Sequence, residues 1–516
     1  MLVAVEGSML VESEYHGVSC YPKPVTLLSR DDAPHSTSRG QKMRRVILGL
    51  ITAALLNLTC SMNQAEETRP NVLFIAVDDL RPELQCYGRQ HIHSPNIDRL
   101  AARGVLFEHA YCMVPTCGAS RAALMSGVRP SRNRFVNYLT YAQNDAPDAL
   151  PLHAHFKNSG YQTFSLGKIF HHKDDHADGW SEPAWRSPKS GYQNKPAAQK
   201  AIAKSKRLWP GKKRHRAAPF ESFEADDVDY PDGDCATRAV EYLAKFASED
   251  TEAPFFLAVG FLKPHLPFNA PKKYWDLYDR SKLSLPTNYA IPTDVPKEAP
   301  HTSGELRSYA GIPPKGPVDE ATALELIHGY YACVSFTDAQ VGRLLDTLKA
   351  TGLDDNTIVV LWGDHGWQLG EHGMWNKHSC FETSLHAPLI ISAPHLQDVE
   401  PGGRVASMAE FIDVYPTLCE LAGLDAPSHL DGSSLLPVMK DPTLPGKSFA
   451  ISRYKSGDSI IMDTVRYSEY TDRGGNFAGA MMFNHQADPN ENKNIYSNSN
   501  PRSKSLSKTL KSNMGR

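Results

Sequence analysis

Short apolar runs separated by amphipathic stretches set the rhythm of this chain. NVLFIAVDD (71–79), YQTFSLG (161–167), PFFLAVGF (254–261), TIVVLWGDHG (357–366) and APLIISAP (387–394) lack the alternation of half-exposed strands. Runs of this kind are buried on both faces of a parallel sheet. Helical patterns lie between them. In SPNIDRLAARG (94–104), Ser94 can cap, Pro95 suits the first turn and Gly104 ends the helix. A longer pattern fills 321–352 and is closed by Gly352. The alternation predicts an α/β fold with a large, mainly parallel central sheet flanked by helices.

Residues 189–216, rich in Lys, Pro and Gly, read as an exposed insertion, and the Pro-rich 285–304 as an excursion bordering a cleft. Beyond Leu444 the pattern weakens, predicting a smaller C-terminal α/β subdomain over 444–516 with a loose tail after Asn494. Residues 1–42 show no periodicity and read as an unstructured or misassigned extension. Arg44 and Arg45 then precede an apolar run at 46–58, the layout of a secretory signal over 43–65. That run is too short to span a bilayer comfortably. Asn57 and Thr59 disfavour lipid anchoring at Cys60. The expectation is export to the periplasm or the exterior, no stable membrane span, and a main domain over 66–443.

Charge and cysteine usage narrow the function. With 55 Lys+Arg against 58 Asp+Glu, the chain is no general nucleic-acid binder, although a local basic pocket for an anion remains open. Nine cysteines without a CxxC pair exclude a disulfide-dense miniature and a zinc ribbon.

Ligands of open parallel sheets collect beyond the carboxyl ends of the strands, and here three apolar runs end in chemistry. One runs into Asp78-Asp79, another into Asp364-His365, and a third into LKPHLPF, with Lys263 and His265. Three carboxylates on one rim repel one another unless a cation joins them, and oxygen donors favour Ca²⁺ or Mg²⁺. Lys168 and His171 in GKIFHHKDDHADG follow a strand and can face the same rim. His153, His155, His171, His172 and His176 form a loose cluster without clear metal-ligand spacing. Cys117, in TCGASRAALMSG, stands at a helix mouth. It reads either as a thiol nucleophile favoured by the helix N-terminus or as a small buried residue.

The blocks NVLFIAVDDLRPELQCYG, CGASRAALMSGVRP, GKIFHH, FFLAVGFLKPHLPF, GDHGWQLGEHGMWNKHS and NHQADPNENKN, in this order, resemble the type I sulfatases of the alkaline-phosphatase superfamily. Within that family they resemble its iduronate-2-sulfatase branch. The resemblance covers about 71–494 and makes 66–443 the catalytic domain. It implies that Cys117 is oxidised to formylglycine, whose hydrate is the nucleophile. The modifying partner would be a formylglycine-generating or anaerobic sulfatase-maturating enzyme. It implies a metal site of Asp78, Asp79, Cys117, Asp364 and His365, with Ca²⁺ expected ahead of Mg²⁺. Arg121, Lys168 and Lys377 would supply fixed positive charge, His265 the general acid and His171 the base. One position departs from the family's Cys-x-Pro-x-Arg core: Ala119 stands at its third place.

The implied substrate is a sulfated glycan, carrying the 2-O-sulfate of a uronic acid. Alternatives are an exo-sulfatase on another polysaccharide, a phosphoester or phosphonate hydrolase of the superfamily, and a degenerate glycan-binding protein. The sequence does not single out the residue that meets the uronate carboxylate. The Lys-rich 189–216 is a candidate for that partner, although a solvated loop is its better reading.

Overall fold

In the computed structural model, which describes residues 69–249, 253–462 and 464–514, the apolar runs become strands of one seven-stranded sheet. The strands are β1 (Asn71–Val77), β2 (Val105–Tyr111), β3 (Gln162–Gly167), β4 (Phe255–Phe261), β5 (Thr357–Gly363), β6 (Leu389–Ser392) and β7 (Gly403–Glu410). Their order is β7-β2-β6-β5-β1-β4-β3. β1 is interior, with β4 and β5 parallel to it on either side. Successive β1 residues point to opposite faces. Val72, Phe74 and Ala76 join one core, and Leu73, Ile75 and Val77 the other.

Helices cover both faces. α1 (Pro95–Arg103), α4 (Pro231–Ser248) and the long α5 (Glu320–Ala350) pack on the second core, while α2 (Cys117–Ser126) and α6 (Val414–Leu421) pack on the first. A further helix, α3 (Lys195–Leu208), lies within the predicted insertion and buries only Ser205. The α1 boundaries match the sequence pattern, but Ser94 does not cap it. Its hydroxyl is engaged with the Gln85 amide and the Asp98 carboxylate. The buried Asp338 on α5 accepts from the Asn96 and Ile97 amides instead, so the cap comes from another helix.

Three further differences from expectation have local causes. β2 and β7 were not evident as strands because Glu108-His109 and the exposed Arg404 and Ala406 break their apolar pattern. β6 runs antiparallel to β5 and β2. The chain turns back at the carboxyl edge without a crossover helix, and a direct return of this kind gives an antiparallel pair. Last, the tail expected to be loose closes on α7 (Pro501–Asn513), capped by the Asn500 side chain. Its Leu506 and Leu510, spaced i, i+4, pack against Ile451, Ile460 and Tyr467. That helix lies on an antiparallel sheet of β8 (Ala450–Tyr454), β9 (Gly457–Met462), β10 (Val465–Thr471) and β11 (Phe477–Asn484).

The expected extension 1–42, the signal at 43–65 and Cys60 lie outside the described residues. Among the described residues, no helix is long and apolar enough to cross a membrane.

Candidate active site

The three strand ends singled out in the sequence converge. β1 delivers Asp78 and Asp79, and β5 delivers Asp364 and His365, all fully buried. Asp79 adopts φ 62°, a left-handed conformation that aspartate tolerates better than most residues. Two contacts hold it there: its amide donates to Asp364 Oδ1 at 2.9 Å, and its carbonyl accepts from Tyr330 at 2.8 Å. Cys117 is the first residue of α2, which is buried along its whole length. The loop beyond α2 closes tightly over the helix start. A Cβ on Gly118 would lie 2.5 Å from the Tyr138 carbonyl, so only glycine fits there.

Cys117 Sγ lies 3.3 Å from His365 Nε2 and 3.8 Å from Asp79 Oδ1. Burial and the Asp78 carboxylate push its thiol well above the ordinary cysteine range. Both influences oppose the pull of the helix N-terminus toward a thiolate, which counts against the thiol-nucleophile reading.

Fixed cations are threaded between the acids. Arg121, with no solvent exposure, donates to Asp364 Oδ2 at 2.8 Å and to the Ile169 carbonyl at 2.9 Å, and lies 3.4 Å from Asp78. Lys168 pairs with Asp78. Lys377 lies 2.9 Å from Asp79 and 3.3 Å from Glu305, and sits over the Trp367 ring. Burial works against the Lys377 ammonium, but Asp79 together with Glu305 and the other negative groups around it outweighs burial and holds its pKa well above the ordinary value.

The two predicted histidines occupy different settings. His265 Nδ1 bonds the Leu266 carbonyl, leaving Nε2 at 3.2 Å from Glu305 and 3.8 Å from Asp79. Burial disfavours its imidazolium, yet Asp79 and Glu305 raise its pKa. His171 sits edge-on to Tyr138, with a buried and unpartnered Nδ1. Burial and Lys168 lower its pKa to about 3. Opposite shifts on two titratable groups of one site are the usual mark of an acid and a base.

Glu305 is the functional neighbour that sequence reasoning missed. It comes just after the Pro-rich excursion, and no motif marks it; only the fold brings it to His265 and Lys377. His301, Thr302 and Gly304 line the same cleft, as expected of that excursion. The predicted metal ligands form two donor groups, Asp78, Asp79, Cys117 and His265, and Cys117, Asp364 and His365. His265 is thus closer to the donors than the sequence indicated. Among the described residues, the histidines of the 153–176 cluster join no such group.

The donor chemistry suits a hard divalent cation. Four carboxylates, Asp78, Asp79, Asp364 and Glu305, gather here among Arg121, Lys168 and Lys377, with Arg216 on the outer side of Glu305. Carboxylate oxygens converging on one point are what Ca²⁺ and Mg²⁺ select. The site opens into a cleft of about 1050 Å³ lined by Asp78, Cys117, Lys168, His171, His265 and Lys377. Lys212 and Arg216 reach the same cleft, so the end of the predicted solvated insertion forms part of its wall.

Comparison with known proteins agrees with this geometry. The family model described as Sulfatase matches residues 70–424, and that of the N-sulphoglucosamine sulphohydrolase C-terminal region matches 370–516. Human iduronate 2-sulfatase is 31% identical over 476 residues, covering 82% of this chain and 84% of its own. A sulfatase of Formosa agariphila is 33% identical over 443 residues, covering 83% of each chain. A solved structure in complex with its substrate D-glucosamine-2-N,6-O-disulfate superposes with a TM-score of 0.69 at 20% identity, covering 87% of this chain and 98% of the other. That likeness bears on the fold, while the family match spans the strand ends, Cys117 and both cation-bearing segments. On these grounds the chain belongs to the sulfatase family and is a sulfuric ester hydrolase.

Proposed function

We propose that the chain removes the 2-O-sulfate from a uronic acid of a sulfated glycan, with Cys117 matured to formylglycine and calcium at the carboxylate cluster. The observation that carries this reading is Cys117 itself, buried at a helix mouth with its Sγ facing His365 and Asp79. Similarity to human iduronate 2-sulfatase supports the uronate and the sulfate position. Export through 43–65 fits an extracellular polysaccharide.

Formylglycine would supply, as its hydrate, the oxygen nucleophile that takes the sulfuryl group. A hard cation held by Asp78, Asp79, Asp364 and His365 would neutralise charge on the sulfuryl oxygens. The chain's own residues do the rest. Arg121 ties the start of α2 to Asp364 and so fixes residue 117 against the cluster. Lys168 and Lys377 present positive charge to the anionic group without reorganising. His265, backed by Glu305, gives a proton to the leaving sugar oxygen. Neutral His171 takes the proton whose loss returns residue 117 to its starting form.

Mass spectrometry of the tryptic peptide 104–121, from protein made in a host that matures sulfatases, tests the reading. The expected result is an aldehyde in place of the Cys117 thiol. A peptide retaining the thiol while the protein hydrolyses sulfate esters would overturn it.

A further inference from the structure

The cleft holds more positive charge than the sulfuryl group requires, and one of its guanidinium groups carries a buried N–H with no partner. Lys168 and Lys377 face Asp78 and Asp79. Arg216 lies 3.9 Å from Glu305 and stacks on Tyr309. Lys212 and Arg307 are spent on backbone carbonyls of the rim. Arg186 differs from all of these.

Arg186 lines the cleft together with Tyr138 and His171. Its Nη2 donates to the Phe170 carbonyl at 2.7 Å and to the His171 carbonyl at 3.2 Å, which fixes the guanidinium against the cleft wall. Its Nε is buried and has no partner. Among the described residues, no carboxylate lies within ion-pair distance of it. Burial, reinforced by the nearby Arg121, disfavours its charge. A desolvated guanidinium with a free donor costs free energy unless an anion arrives to meet it. Neutral carbonyls cannot supply that anion.

We propose that Arg186 is a second anion site, beside the sulfuryl site, that binds the substrate's own carboxylate. This deepens the uronic-acid reading and rests on it. The planar guanidinium matches a carboxylate, and two of its donors are already anchored, so little side-chain freedom is lost on binding. The same contact selects against neutral sugars, which would leave the buried Nε unpaired.

The test compares three substrates: a 2-O-sulfated uronic acid, the same sugar with its carboxyl reduced to an alcohol, and 4-nitrophenyl sulfate. The wild-type enzyme is expected to prefer the carboxylate form. In Arg186→Gln, which keeps an amide donor for the Phe170 and His171 carbonyls, that preference should fall about 10- to 100-fold. The loss should appear mainly in KM, with 4-nitrophenyl sulfate unchanged. Arg186→Lys retains the charge and should lie between the two. Calorimetry on a Cys117→Ala background, which needs no maturation, should show the same loss of affinity for the uronate. If Arg186→Gln slows all three substrates equally, Arg186 only holds the His171 loop and the proposal fails. If the wild type prefers the carboxylate and the variant still does, the assignment to Arg186 fails while the uronate reading stands. If the wild type shows no such preference, both fall.

Discussion

Replacing His265 by Ala separates proton donation from every other role this residue could play. Its Nε2 faces Glu305 at 3.2 Å and Asp79 at 3.8 Å, and both carboxylates favour the imidazolium. As a general acid it contributes about 10²- to 10⁴-fold, but only where the leaving oxygen needs a proton. A sugar alkoxide does, and a nitrophenolate does not. His265→Ala should therefore lower kcat for a sulfated sugar by about 10²- to 10⁴-fold, and for 4-nitrophenyl sulfate by less than about 10-fold. The acids left behind still face Lys377, at 2.9 Å from Asp79 and 3.3 Å from Glu305, so the variant should fold. A melting curve checks this. The assay is steady-state kinetics on both substrates at one pH, with the ratio of their kcat values as the readout. His265 also belongs to a candidate donor group with Asp78, Asp79 and Cys117. If its role were to hold a cation or shape the cluster, both substrates would suffer alike. An unchanged ratio would refute the acid assignment.

Two other outcomes are expected. Chelation should remove the cation from Asp78, Asp79 and Asp364 and cut activity by about 10²- to 10³-fold, the usual loss when transition-state charge goes unneutralised. Calcium restored to about 100 times its Kd should recover activity and add about 2.7 kcal/mol of stability. Activity and melting temperature indifferent to chelator would rule out the cation. Away from the site, Glu83 is buried and takes a 2.7 Å hydrogen bond from Arg81. Burial works to raise its pKa, but Arg81 and His91 outweigh it and bring it from 4.5 to about 2. A depressed folded pKa stabilises above the unfolded value and is lost as pH falls through the folded one. Glu83→Gln should thus cost about 3 kcal/mol above pH 4.5, with the gap to wild type closing toward pH 2. A gap constant over that range would contradict the assignment.

Much of the site was legible because strand burial and strand-end chemistry are written next to each other. In NVLFIAVDD the apolar run and the two acids are contiguous, and TIVVLWGDHG repeats the arrangement. What the sequence hid lies in loops or on edges. Glu305 reaches His265 only because the excursion folds back over the cleft, and no local pattern records that return. Arg186 precedes a Lys-rich stretch that reads as solvent-facing, yet the end of that stretch forms cleft wall. β2 and β7 sit toward one edge of the sheet, where partial exposure erases the apolar signature. The C-terminal helix is polar except for two leucines, too few to announce it against eleven neighbours.

The reversed direction of β6 has an engineering consequence. Because β5 ends and β6 begins on the same rim, the segment between them, which carries His365 and Lys377, is a single return on that rim rather than a crossover. Lengthening such a loop costs little, since closure entropy grows only with the logarithm of its length. No helix has to be moved to the far face to accommodate it. Since nearly all of the segment is buried, with only Gly373 exposed, any such change has to preserve its packing over the acids while the sheet stays in register.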